Sequence, residues 1–180
     1  MHIPVADIKK ALATHDITHV LLDMDGTLLD KYFDDYFWEH LVPEKYADKH
    51  RVSFGKAKEE LLAKYKSHEE TLNWTDIEFW SRELGLDILA LKEQIRHLIE
   101  VHPHVEDFLQ LMRSRGKKVY IATNAHDKVL AMKLKKTDLG KYLTGAITSA
   151  EIGFPKEDLE FWRGAEQKLG FHKEHTLFVD

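Results

Sequence analysis

A chain of 180 residues with a net charge of −5 and no cysteine has room for one domain with an insertion, or for two small domains. The lack of cysteine excludes disulfides, thiolate zinc sites and thiol nucleophiles, and it fits a reducing cytoplasm. The acidic balance argues against nucleic acid as a partner, and with no apolar run of spanning length and no basic-then-apolar leader, no membrane association is expected.

Val5 to Thr14 read as a short amphipathic helix and His19 to Asp23 as the first strand. The apolar run Val20-Leu21-Leu22 ends in Asp23 and Asp25, spaced i, i+2 and followed by Gly26-Thr27. In an open α/β sheet ligands sit beyond the carboxyl ends of the strands, so this spacing puts both carboxylates where chemistry is done. Two acids this close repel unless a cation sits beside them, and Mg²⁺ prefers oxygen ligands. An EF-hand loop also begins Asp-x-Asp, but it needs glycine at its sixth position and a preceding helix. Here Gly26 stands fourth and Leu28 sixth, after a strand. A solvated Asp-Gly turn still competes at this point.

Residues 32–100 hold about four helical patterns and no strand, too long a stretch for one crossover helix. They read as a helical insertion that hangs over the strand tips as a lid. Within it Ser53 is expected to cap a helix whose apolar positions are Phe54, Ala57, Leu61, Leu62 and Tyr65. Thr75 and Glu78 match a capping box, with Gly85 as the stop. Three later helical patterns, Val105 to Arg115, Asp127 to Lys136 and Asp158 to Leu169, end at Gly116, near Gly140 and at Gly170. Strands are expected at Lys118 to Ala122, Leu143 to Ser149 and Thr176 to Val179. This alternation predicts an α/β fold: a Rossmann-like parallel sheet covered on both faces, from residues 1–31 and 101–180, with an all-helical cap from 32–100.

Thr123 and Asn124 fall at the tip of the second strand, where a hydroxyl and free N–H groups make a phosphate cradle. An ordinary N-cap role for Thr123 is compatible with this. Lys156, in Gly153-Phe154-Pro155-Lys156-Glu157-Asp158, reads as lying at a helix start, where the dipole disfavours a cation. A bound dianion would remove that conflict. Lys133, Lys135 and Lys136 read as a solvated helix face, and His102, His104, His172 and His175 as surface or loop histidines. Neither a P-loop nor a dinucleotide fingerprint occurs.

The Asp23-x-Asp25-Gly26-Thr27 segment resembles the first motif of the haloacid dehalogenase superfamily. Thr123, Lys156 and the apolar strand ending in Asp180 resemble its second, third and fourth. Further stretches resemble bacterial GMP/IMP-type 5′-nucleotidases of that superfamily: Tyr36-Phe37-Trp38, Thr71-Leu72-Asn73-Trp74, Thr123-Asn124-Ala125-His126 and Pro155-Lys156-Glu157-Asp158. The resemblance implies a Mg²⁺-dependent phosphomonoesterase of small phosphorylated metabolites, with purine nucleoside monophosphates first among them. Asp23 would be the nucleophile and Asp25 the acid and base. Thr123, Asn124 and Lys156 would bind phosphate, and Asp23, Asp25 and Asp180 the metal. Tyr36, Trp38 and Trp74 are candidates to face substrate from the cap, against the competing reading that they pack its core. A sugar-phosphate phosphatase or phosphomutase is the alternative within enzymes, and an impaired binding or regulatory protein the alternative outside them. Relief of carboxylate repulsion implies that Asp23→Asn folds at least as well as the parent. Relatives continue past the position of Asp180 with a second acid and another strand and helix. The resemblance therefore implies that the C-terminal part of the core lies outside these 180 residues. It also implies weak Mg²⁺ affinity, little activity and self-association for a chain of this extent.

Overall fold

Four short segments, β1 (His19–Leu22), β2 (Lys118–Thr123), β3 (Gly145–Thr148) and β4 (Thr176–Val179), pair in parallel in the order β3-β2-β1-β4. They belong to a computed structural model that describes residues 17–69 and 71–180, and the helix expected over Val5 to Thr14 lies outside these. Successive side chains of a strand point to opposite faces of the sheet. Val20 and Leu22 accordingly join one apolar cluster and Leu21 another. The first face is covered by α6 (Val105–Ser114) through Leu109 and Met112, and by α7 (Asp127–Thr137) through Val129 and Met132. The second is covered by α9 (Leu159–Leu169) through Phe161 and Ala165, after a single turn, α8 (Ser149–Ile152). Burial on both faces explains why β1 reads as an uninterrupted apolar run.

Between β1 and β2 the chain forms α1 (Tyr32–Tyr36), a π-helical turn at Phe37–Leu41, α2 (Val42–His50), α3 (Phe54–Lys66), α4 (Ile77–Leu84) and α5 (Ile88–Gln94). The chain leaves the sheet and returns side by side. The Asp30 N–H donates to the Glu100 carbonyl, and the His102 N–H to the Leu28 carbonyl. Phe33, Phe37, Trp80 and Ile88 continue the apolar cluster that lines the first face, so the inserted helices and the sheet share one core. No helix among the described residues is long and apolar enough to cross a membrane.

Local signals held unevenly. The Ser53 hydroxyl accepts from the Lys56 N–H as expected, and Gly85 and Gly170 end their helices with positive φ. The cap is displaced by one residue and the expected box does not form: Asp76, not Thr75, caps α4, its carboxylate accepting from the Glu78 and Phe79 N–H groups, while the Glu78 carboxylate binds Lys128. That register sets Ile77, Trp80 and Leu84 on one buried stripe. α7 stops at Asp138, whose φ of 57° closes the helix before Gly140 is reached. Aspartate tolerates that left-handed conformation better than most residues.

Candidate active site

Parallel strands of matched register bring their carboxyl ends to one edge. Leu22 lies opposite Ile121 on β2 and Val179 on β4, and Thr123 opposite Thr148 on β3. Asp23, one residue past β1, therefore falls level with Ala122, one residue short of Thr123, on one side and with Asp180 on the other, and its N–H donates to the Val179 carbonyl at 2.8 Å. The next turn needs glycine. Gly26 has φ of 96°, and its N–H donates to the Leu29 carbonyl while Leu28 and Leu29 fold back on Met24. The turn leaves the Asp23 side chain buried and the Asp25 side chain half-buried, two residues apart.

Lys156 joins two of these carboxylates. Its Nζ lies 2.7 Å from Asp23 Oδ1 and 2.8 Å from Asp180 Oδ2. Burial works against its charge, but hydrogen bonds to Asp180 and Asp23 hold its pKa above the ordinary lysine value. It lies in the loop before α9, not on the helix, whose cap is Asp158. The loop is pinned from both sides. The Lys156 N–H donates to Asn124 Oδ1 at 2.8 Å, and the Lys156 carbonyl accepts from Trp162 Nε1 at 2.9 Å. Asn124 also donates to Glu157, so its side chain is committed to the loop. Thr123 Oγ1 accepts from the Ala125 N–H and tightens the β2 tip, whereas the cap of α7 is His126.

Asp25 is held elsewhere. Lys133 Nζ lies 2.6 Å from Asp25 Oδ1 and also binds Asp34 Oδ2, while Lys92 Nζ lies 2.6 Å from Asp34 Oδ1. Burial pushes the Asp25 carboxyl up, opposed by Lys133 and reinforced by Asp34 and Asp23. Burial also raises Asp34, but Lys92 and Lys133 prevail and hold it low. The solvated face expected for Lys133 is thus corrected: the residue is 1% exposed. Helical spacing carries the missed signal, because Lys133 follows buried Val129 by four positions and Leu130 by three. Lys92 likewise follows buried Ile88 by four. The repulsion expected between Asp23 and Asp25 persists as an upward push on Asp25, but a lysine on each carboxylate offsets it.

Asp23, Asp25 and Asp180 do not form a single metal-ligand cluster, and no group of three or more His, Cys, Asp or Glu side chains does so among the described residues. Asp23 and Asp180 nevertheless turn oxygens onto one cation, the Lys156 ammonium. One or two carboxylates completed by waters and substrate phosphate suit Mg²⁺, so the donor chemistry fits that ion.

The aromatics of the inserted helices divide. Trp38 packs edge-on against Phe37, Tyr65 and Trp80, with centroids 4.9, 5.5 and 6.0 Å away. Tyr36 stacks on His40 and meets Tyr32. Trp74 touches Tyr65, receives the Trp80 indole N–H on its carbonyl and remains 38% exposed.

The sequence profile of the haloacid dehalogenase-like hydrolases matches residues 17–180. GMP/IMP nucleotidase YrfG of Escherichia coli is 39% identical over 169 residues, which cover 94% of this chain and 76% of that protein. Pyrophosphatase PpaX of Oceanobacillus iheyensis is 29% identical over 170 residues, 91% of this chain and 74% of its own. The crystal structure of a HAD phosphatase from Thermococcus onnurineus superposes with a TM-score of 0.79 at 26% identity, covering 91% of this chain and 76% of that one. With these likenesses running through the strands that carry Asp23, Thr123 and Asp180, the chain belongs to the haloacid dehalogenase-like hydrolase family and is a phosphatase of it.

Proposed function

We propose that residues 1–31 and 101–180 form the catalytic core and residues 32–100 its cap, and that together they dephosphorylate purine nucleoside 5′-monophosphates in the cytoplasm. The observation that carries the reading is the Asp23 carboxylate at the β1 tip, paired with Lys156 and followed two residues later by Asp25. The 39% identity to a GMP/IMP nucleotidase supports the substrate class. Asp23 attacks phosphorus and forms an aspartyl-phosphate as the bond to the leaving oxygen breaks. Asp25 delivers a proton to that oxygen and later takes one from the water that hydrolyses the phospho-enzyme. Lys156, the Thr123 hydroxyl and backbone N–H groups at the β2 tip, that of Asn124 among them, hold the equatorial oxygens. Mg²⁺, held by Asp23, the Asp25 backbone carbonyl and Asp180, would neutralise charge between carboxylate and phosphate.

A panel of GMP, IMP, AMP, sugar phosphates and pyrophosphate, with phosphate release measured with and without Mg²⁺, tests the reading. Metal-dependent turnover with GMP and IMP preferred is expected, and preference for a sugar phosphate or pyrophosphate would refute the substrate class. Within the cap, Trp74 has exposed ring surface available to a purine. Stacking on one base is worth about 1–3 kcal/mol, so Trp74→Ala should raise KM for GMP about tenfold and hardly alter it for p-nitrophenyl phosphate. Trp38→Ala should instead lower Tm and affect both substrates alike, because its ring contacts lie within the cap.

A further inference from the structure

Asp25, Lys133, Asp34 and Lys92 form a chain of alternating charges that runs from the β1 turn through α7 to α1 and α5. Its two lysines are among the most buried residues of the protein, 1% and 2% exposed. Aromatic rings close its far end: Lys92 Nζ lies 4.2 Å from the Phe37 ring centroid, 4.8 Å from that of Phe33 and 5.5 Å from that of Trp38. Burying four charges costs several kcal/mol per ion, and well-packed apolar side chains commonly give equal or greater stability at such positions. Anchoring the cap alone does not require this arrangement. Its geometry does something apolar packing cannot. Lys133 donates to Oδ1 of Asp25, while Oδ2 has no hydrogen bond among the described residues.

We propose that Lys133 is a positioning residue for the reaction: by holding Oδ1 it fixes the rotation of the Asp25 carboxyl, so that Oδ2 carries the proton to the leaving oxygen. Asp34 offsets the charge of the Lys133 ammonium and Lys92 that of Asp34, while the hydrogen bond to Asp25 itself is made by Lys133. In the step concerned, the Asp23 oxygen–phosphorus bond forms, the phosphorus–leaving-oxygen bond breaks, and the Oδ2 proton moves to the departing oxygen. The inference rests on the assignment of that proton to Asp25.

The test uses two variants of the 180-residue protein that each remove one positive and one negative charge. One is Lys133→Met with Asp34→Asn, and the other is Lys92→Met with Asp34→Asn. Each is assayed with GMP, whose alkoxide needs a proton to leave, and with p-nitrophenyl phosphate, whose phenolate does not. A positioned general acid contributes about 10²–10⁴-fold, so the Lys133 variant should lose about ten- to a hundredfold in kcat/KM for GMP and less than about threefold for p-nitrophenyl phosphate. The Lys92 variant should change both by less than about threefold. Equal losses for the two substrates, or the same pattern in both variants, would overturn the inference and leave the network a structural clasp. If the Lys133 variant does not fold, Lys133→Gln decides, because its shorter amide withdraws the donor from Asp25. A parental ratio of the two substrates in that variant overturns the proposal, and a fall in the GMP share supports it. Asp25→Asn with the parental ratio would instead refute the acid assignment, and this inference with it.

Discussion

Asp23→Asn is expected to lower kcat by at least about a thousandfold, since an amide cannot serve as the attacking oxygen. The fold should survive but not gain. Asp23 is paired with Lys156 at 2.7 Å, and Asn removes that charge while leaving Lys156 only Asp180. Losing one partner of a buried charged bond costs about 1–3 kcal/mol, and the remaining Asp180 contact should keep the loss near the lower end. Circular dichroism and urea denaturation beside steady-state assays measure both effects. A stabilised variant would mean that the repulsion from Asp25 outweighs the pairing of Asp23 with Lys156.

Lys156→Met should have the second-largest effect, at least about a hundredfold in kcat/KM, because it removes a preorganised positive charge from the site of developing negative charge. It also leaves Asp23, 7% exposed, without a counter-ion, so Tm should fall more than for Asp23→Asn. The pH dependence follows from the raised pKa of Lys156. A lysine whose folded pKa is raised contributes stability that is fully present below the unfolded value, about 10.4, and is lost only as pH rises through the higher folded value. Any alkaline limb of the rate profile below about pH 9 must then belong to another group, and Lys156→Met should leave its midpoint where the parent has it. A midpoint that moved would assign the limb to Lys156.

The sheet was legible because β1 is buried on both faces, which writes it as an unbroken apolar run, and because its end carries two acids before a glycine that the turn requires. The loop holding Lys156 was legible as a segment but not as a location. The sequence suggested a helix start, whereas Asn124 and Trp162 fix Lys156 ahead of the helix through contacts more than thirty and six residues apart in sequence. Lys133 went unread because three lysines in four positions look like a solvated face, and charge outweighed periodicity. Position along the buried stripe of α7 gave the better answer. Asp34 carries no local signal of its own, because the partners that bury it arrive from α5 and α7, far along the chain. Thr75 and Asp76 are both competent caps, and only the tertiary burial of Ile77, Trp80 and Leu84 chooses between them.

The central claim, covalent transfer of phosphate to Asp23, is tested most directly by trapping. The Asp25→Asn variant, slowed in hydrolysis of the phospho-enzyme, would be turned over with GMP radiolabelled in its phosphate in the presence of Mg²⁺, quenched in acid and digested. Label should be recovered in the peptide containing Asp23, and borohydride should convert that residue to homoserine. Release of labelled phosphate with no label on the protein, or label on any other residue, would contradict the account.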